Sequence, residues 1–201
     1  MKPGSIAGLI LAAGASRRMG TPKALLLFQG ETFLDRLIRL FSSVTSPLIV
    51  VVGYHADQIR SGIQRSSEAI FAVNPAPERG MLSSMQCGLG LVPPDAEAVM
   101  FTPVDHPNLN SSTLEEIAAR FLAERAPVTV PTHAGKHGHP VCIAHPLISE
   151  LLSLPTDAQA SDVIHRYAGR TSYLEVPDPA ILTDIDDQAA YAELIAGEAS
   201  Q

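Results

Sequence analysis

Residues 11–23 read LAAGASRRMGTPK, a run of small residues carrying two arginines and a lysine, placed directly after an apolar stretch. Small side chains let the main chain approach a ligand closely, exposed N–H groups receive phosphate oxygens, and the cations balance the charge. These are the parts needed to hold a triphosphate against a backbone loop. The spacing is not that of the common P-loop, G-x-x-x-x-G-K-[ST], because Gly14 and Gly20 are followed by Thr-Pro-Lys.

Three further clusters could act with that loop. Asp105-His106-Pro107 follows the apolar segment 100–104. A carboxylate beside a triphosphate is repelled unless a divalent cation lies between them, so Asp105 reads as a metal ligand or else as a cap before Pro107. Asp184-Ile185-Asp186-Asp187 precedes the last helix-like segment and suits a helix dipole or a metal. Alternation sets Asp184 and Asp186 on one side of the chain and Ile185 toward the core, which makes one of the two acids a candidate second ligand. His133, His137 and His139 share a Gly-rich connection with Lys136, one of only three lysines. Zinc would need a fourth ligand and a rigid frame there. A substrate loop is the better reading, and a solvated hairpin the plain alternative. Asn74 through Ser84 adds a strand-end turn and then hydroxyls at a helix start, able to hold a base or ribose or simply to cap the helix.

Positioning these groups falls to short apolar runs that alternate with helix-period segments, the pattern of β-α-β units and a mainly parallel sheet. Strands are expected at 6–12, 48–52 (closed by Gly53), 69–73, 98–104, 127–131, 140–144 and 172–176. Helices are expected around Phe33, Leu34, Leu37, Ile38 and Phe41, and at 56–65, 81–91, 161–168 and 188–195. A further helix, through Leu114, Ile117, Ala118 and Phe121, would be opened by a Ser112-x-x-Glu115 capping box. Neither a repeat nor a linker interrupts the chain, so one domain, 1–197, is expected, with a frayed tail at 198–201. In an open α/β sheet the ligand sits outside the carboxyl ends of the strands, where strand order reverses. The first loop and Asp105 both belong at such ends.

Composition narrows the functional classes. With 201 residues, 46% of them apolar, there is ample material for a core. Aromatics are 5% and Trp is absent, which argues against a stacking platform for single-stranded nucleic acid. A net charge of −7 argues against a nucleic-acid or anionic-membrane surface. Yet residues 1–30 hold Lys2, Arg17, Arg18 and Lys23 and no acid, leaving −11 on the rest: a local anion site on an acidic protein. Cys87 and Cys142 are too few for a disulfide framework and lie in apolar segments, as small hydrophobes do in a reducing, cytoplasmic compartment. The apolar run at the start is broken by Gly8 and reads as a strand rather than a signal peptide. No run approaches the ~18 apolar residues of a membrane span.

Five motifs, in this order, resemble those of the MobA/MocA-like nucleotidyltransferases: LAAGASRRMGTPK, NPxxxxGMxxS at 74–84, PVDHP at 103–107, GKHGHPV at 135–141 and LTDIDDQAAY at 182–191. The likeness covers nearly the whole chain. Its first motif is shared by many nucleotidyltransferases, whereas GHPV combined with PVDHP points to the molybdenum cofactor cytidylyltransferase branch. The resemblance implies a Rossmann-like α/β fold, a single three-layer α/β/α domain with a mixed, mostly parallel sheet. It assigns phosphate binding to Arg18 and Lys23, and base reading to the backbone of Leu11, Ala12, Ala13 and Gly14, with Gly80 and Ser84 nearby. Mg²⁺ (or Mn²⁺) would sit on Asp105 and Asp186, and Arg18, Lys23 and Asp105 would form the catalytic set. Lys136, His137, Gly138 and His139 would face the acceptor. Arg17 falls on a variable position and is expected to be only a solvated neighbour. GMP-transferring members usually show LAGG and an Asp before the Lys; Ala13 and Pro22 stand there in this chain and favour CTP. After Asp186 the family often has Thr-Pro-Glu-Asp, whereas this chain has Asp187-Gln-Ala-Ala, which alters the helix start.

The implied reaction is metal-dependent transfer of CMP from CTP to the phosphate of the molybdopterin cofactor, with release of pyrophosphate. A phosphate monoester has its second pKa near ~6 and is already largely dianionic at neutral pH, so no general base or nucleophilic side chain is required. The implied partners are CTP, a pterin phosphate and a molybdenum oxidoreductase that receives the product, without nucleic acid or membrane. The rival readings are a guanylyltransferase using GTP, a nucleotidyltransferase for a sugar or alcohol phosphate, and a non-catalytic carrier of the cofactor.

Overall fold

The first apolar stretch forms strand β1, Ile6–Ala12, buried along its whole length as befits a central parallel strand. In the computed structural model, which describes residues 5–155 and 157–198, it lies inside an eight-stranded sheet. A small hairpin, β2 (Leu27–Phe28) and β3 (Glu31–Thr32), leads into helix α1 (Phe33–Ser42). Then come β4 (Leu48–Val52), α2 (Ala56–Gly62), β5 (Ile70–Val73), α3 (Met81–Leu89), β6 (Ala98–Pro103) and α4 (Ser111–Glu124). The remainder comprises β7 (Val128–His133), β8 (Lys136–His137), β9 (Val141–Ala144), α5 (Pro146–Leu152), α6 (Ala160–Arg166), β10 (Thr171–Glu175) and α7 (Gln188–Glu198).

The strand order is β10-β7-β9-β6-β1-β4-β5, with β8 attached to β7. β1 runs parallel to both β4 and β6, and β9 is antiparallel to its neighbours β6 and β7. The sheet is therefore mixed and mostly parallel. The chain winds outward from β1 through β4 to β5 and then returns to the other side of β1 as β6. A crevice opens at the carboxyl ends of β1 and β6, lined by Leu11 and Ala12 of the one and Pro103 of the other.

Alternation along the strands builds a core on each face. Ile10, Val50 and Met100 pack with α1 and α4, while Leu9, Val51 and Phe101 pack with α3, α5 and α6. Helix α7 adds Ala190, Tyr191, Leu194 and Ile195 to the first face, completing three layers in one domain. Helix α3 approaches the sheet so closely at Gly88 that a Cβ there would run into the Leu9 and Val51 side chains.

Several expected boundaries move, each for a tertiary reason. Helix α2 stops at Gly62 instead of 65, because the buried Asp35 carboxylate accepts the N–H groups of Gln64 (2.9 Å) and Arg65 (2.8 Å). The Ser112–Glu115 capping box does not form. The start of α4 is held instead by distant Asp178, which accepts from the Asn110 N–H (3.1 Å) and the Thr113 hydroxyl (2.8 Å). A reciprocal box does open α6, between Gln159 and Asp162. Helix α5 answers to no expected element. Helix α7 runs to Glu198, one residue into the expected tail, and 199–201 lie outside the described residues. Cys142 is buried and Cys87 half-buried, both as free thiols. Among the described residues no helix is long and apolar enough to cross a membrane.

Candidate active site

Three chain reversals meet at the carboxyl end of the sheet. Gly53, at the end of β4, makes this possible: a Cβ there would lie 2.7 Å from the Ala13 carbonyl oxygen and 2.9 Å from Pro77. The loop after β1 then turns through Ser16 (φ +48°) and Gly20 (φ +69°). Ser16 organises it, its carbonyl accepting the N–H groups of Met19 (3.0 Å) and Gly20 (3.2 Å) and its Oγ that of Lys23 (3.0 Å). The N–H groups of residues 14–18 have no such partner among the described residues, as an anion-binding loop requires.

The charged side chains converge over this loop. Lys23 donates to Asp105 (3.0 Å) and to Asp186 (2.6 Å), and Arg18 donates to Asp186 (3.0 Å). Partial burial lowers the pKa of the Lys23 ammonium, but its hydrogen bonds and charge pairing with Asp186 and Asp105 outweigh this and raise it overall. The hydrogen bond from Lys23 holds the Asp186 carboxyl below its ordinary range. Asp186 reaches the site because Ile185 is buried on the opposite side of the chain and its N–H bonds the Asp105 carbonyl (2.9 Å). Asp186, and not Asp184, thus faces Lys23. Asp187, in the segment that departs from the familiar pattern, accepts from Ala189 and Ala190 and so preserves the start of α7.

These groups line a cavity of about 420 Å³ together with Leu11, Ala12, Ala13, Gly14, Gly80 and Ser84. Pro22 and Arg17 line it as well, with Arg17 exposed to solvent. Buried Asn74 prepares the far wall, its amide donating to Ser83 Oγ (2.9 Å) and Ser84 Oγ (3.0 Å) while its Oδ1 accepts from Ala76 (2.9 Å). The Ser84 oxygen is occupied as an acceptor, which leaves its proton available to a ligand.

A second cavity of about 890 Å³ adjoins the first, sharing Gly80 and Met81 with it. His137, Gly138 and His139 line it; Lys136 does not. Neighbours on a strand point to opposite faces. His137 stacks on Tyr173 with ring centroids 4.8 Å apart, whereas Lys136 is exposed and outside the cavity, against the expected acceptor role. His139 packs 5.0 Å from the ring of His106. Burial holds both imidazoles below their ordinary pKa, with His139, also repelled by His106, brought down to about 4. The three loop histidines do not converge. His133 instead pairs with the Val176 carbonyl (2.9 Å), and no set of three or more His, Cys, Asp or Glu gathers to hold a metal among the described residues.

A divalent cation nevertheless suits the first cavity. Oxygens of Asp105 and Asp186 converge on one cationic atom, Lys23 Nζ, within 3.0 Å. Two hard carboxylate donors, with substrate oxygens and water completing the shell, is how Mg²⁺ is commonly held. Ser16 and the whole far wall of the larger cavity, from Asp157 through α6 to Tyr173, were not legible as functional. Ser16 stands inside the small-residue loop and could have been found there. The α6 wall has no motif.

Residues 8–171 match the profile of the MobA-like NTP transferase domain. The molybdenum cofactor cytidylyltransferase of Escherichia coli K12 is 26% identical over 89% of each chain. A probable molybdenum cofactor guanylyltransferase of Bacillus cytotoxicus is 32% identical over 58% of this chain and 57% of its own. The crystal structure of Rv0371c from Mycobacterium tuberculosis H37Rv superimposes with a TM-score of 0.86 at 27% identity, covering 98% of this chain and all of that one. Its complex with manganese gives 0.80 at 25% identity, over 96% and 98%.

Proposed function

The chain belongs to the MobA-like NTP transferase family and is a nucleotidyltransferase of that type; from this premise we propose that it transfers CMP from CTP to the phosphate of the molybdopterin cofactor, releasing pyrophosphate. One observation carries the reading: a compact triphosphate-sized cavity holding Arg18, Lys23, Asp105 and Asp186 opens at Gly80 and Met81 into a larger, mainly apolar one. Donor and acceptor then have separate rooms with a shared threshold.

An oxygen of the acceptor phosphate attacks the α-phosphorus of CTP, a new P–O bond forms, and the α–β bond breaks with its electron pair leaving on pyrophosphate. Asp105 and Asp186 would hold Mg²⁺ or Mn²⁺, which supplies charge withdrawal from the phosphate oxygens when bound. With the carboxylates so engaged, Lys23 and Arg18 are left to pair with the phosphates that depart. The free N–H groups of residues 14–18 add fixed donors at no reorganisation cost. Leu11, Ala12, Ala13 and Gly14 offer backbone atoms to the base, and Ser84 a hydroxyl. Ala13 and Pro22, both lining the donor cavity, support CTP over GTP. His137, Gly138 and His139 receive the acceptor. The product would pass to a molybdenum oxidoreductase.

The test is pyrophosphate release with each of the four NTPs, Mg²⁺ and purified molybdenum cofactor. CTP-dependent release is expected. Release with GTP instead would reassign the base, release only with a sugar or alcohol phosphate would reassign the acceptor, and tight cofactor binding without any release would leave a carrier.

A further inference from the structure

The two cavities differ in the charge they present. Arg18, Lys23, Asp105 and Asp186 all line the smaller one and are paired with one another there. The larger is walled by Met81, Met85, Phe101, Val130 and Val141, and among the described residues the one Lys or Arg that lines it is Arg79. Its guanidinium makes no ion pair or hydrogen bond among the described residues. Arg79 ends the short turn Pro77–Arg79 and immediately precedes Gly80 and Met81, the threshold common to both cavities. Gly80 has φ +89°, a conformation side-chain-bearing residues seldom adopt, and so fixes the reversal between that turn and α3.

We propose that Arg79 is an acceptor-binding residue that pairs with the phosphate of the acceptor at the threshold while the body of the acceptor lies in the larger cavity. This rests on the reading of that cavity as the acceptor's. A phosphate dianion brought up to nucleotide phosphates meets repulsion from every oxygen, and an unpaired cation on its own side offsets this. A guanidinium does so with a two-pronged, charge-assisted geometry that matches a phosphate. Among the described residues Asp157 is the lone carboxylate lining the same cavity, and the half-buried His139 stays neutral, so neither can supply the charge.

The test compares Arg79→Ala and Arg79→Lys with the wild-type chain. With CTP saturating, the KM for the pterin phosphate should rise about ten-fold or more in the Ala variant and less in the Lys variant, which keeps the charge but loses the fork. The KM for CTP should stay within about two-fold, and added salt should weaken acceptor use more in wild type than in Arg79→Ala. An acceptor KM unchanged in Arg79→Ala, or a CTP KM that rises in step with it, overturns the assignment. A wild-type chain that releases no pyrophosphate overturns the functional reading instead. Calorimetric binding of molybdopterin then decides on Arg79 separately: weaker binding to Arg79→Ala supports it, and equal or absent binding to both chains refutes it.

Discussion

Lys23 stands where opposite charges meet, bonded to Asp105 and Asp186 at once and mostly shielded from water. Its removal leaves two carboxylates facing each other and takes away the contact proposed to the departing phosphates. Lys23→Ala should therefore lower turnover by roughly 10²-fold or more, and unchanged pyrophosphate release would remove Lys23 from the mechanism. His139 gives a pH signature of a different kind. Its pKa is about 4 in the folded chain against an ordinary 6.5. Between those values the unfolded chain binds a proton that the folded chain refuses, so stability should fall as pH drops through this window and be level above it. The loss is at most about 3 kcal/mol. His139→Gln should reduce the difference between urea unfolding at pH 7 and pH 5; an undiminished difference would place the titration elsewhere.

Elements matter here mainly for what they bring to the threshold between cavities. Helix α3 carries Met81 and Ser84 and is pressed onto β1 and β4 at Gly88. Gly88→Ala must push the helix outward, costing about 1–3 kcal/mol of stability in denaturant unfolding and raising the KM for CTP. A variant as stable as wild type would mean that Leu9 and Val51 repack freely. Gly138 is more constrained, since a Cβ there would meet the Ile181 carbonyl, and His139 donates its N–H to the same oxygen (2.9 Å). The seven longer strands and most helices were legible from periodicity alone, because burial on both faces of β1, β4 and β6 demands unbroken apolar runs, whereas the two-residue strands β2, β3 and β8 carry no such run. Ends were less so. The stop of α2 and the start of α4 are set by Asp35 and Asp178, single carboxylates arriving from elsewhere in the fold.

At the scale of the whole molecule, two cavities side by side imply that a change in the wall of one can leave the other intact. Ala160 sits in the wall of the larger one only. Ala160→Trp should cut acceptor binding by about ten-fold or more, a loss on the order of 1.4 kcal/mol, while CTP binding to the same protein stays within about two-fold. Parallel loss of both ligands in calorimetry would show the cavities to be one. The overall charge fits this division: the cations of the acid-free segment 1–30 that lie in the described fold, Arg17, Arg18 and Lys23, all line the smaller cavity.

The sequence by itself determined the sheet, its mainly parallel sense and the loop that lines the smaller cavity, because these follow from local spacing: apolar runs, small residues and cations within a few positions of one another. It also supplied Asp105 and the choice of side for Asp186, which alternation around a core-facing Ile185 dictates. Only the tertiary structure decided that Lys23 bridges those two acids across 82 and 163 residues of chain. It alone left Lys136 out of the larger cavity, by the direction of one side chain on a two-residue strand, and raised the opposite wall from α6 and Tyr173. Those facts depend on which strand ends lie next to one another in space. No local pattern encodes that, because the sheet brings together segments distant in sequence through the reversal of strand order at β1.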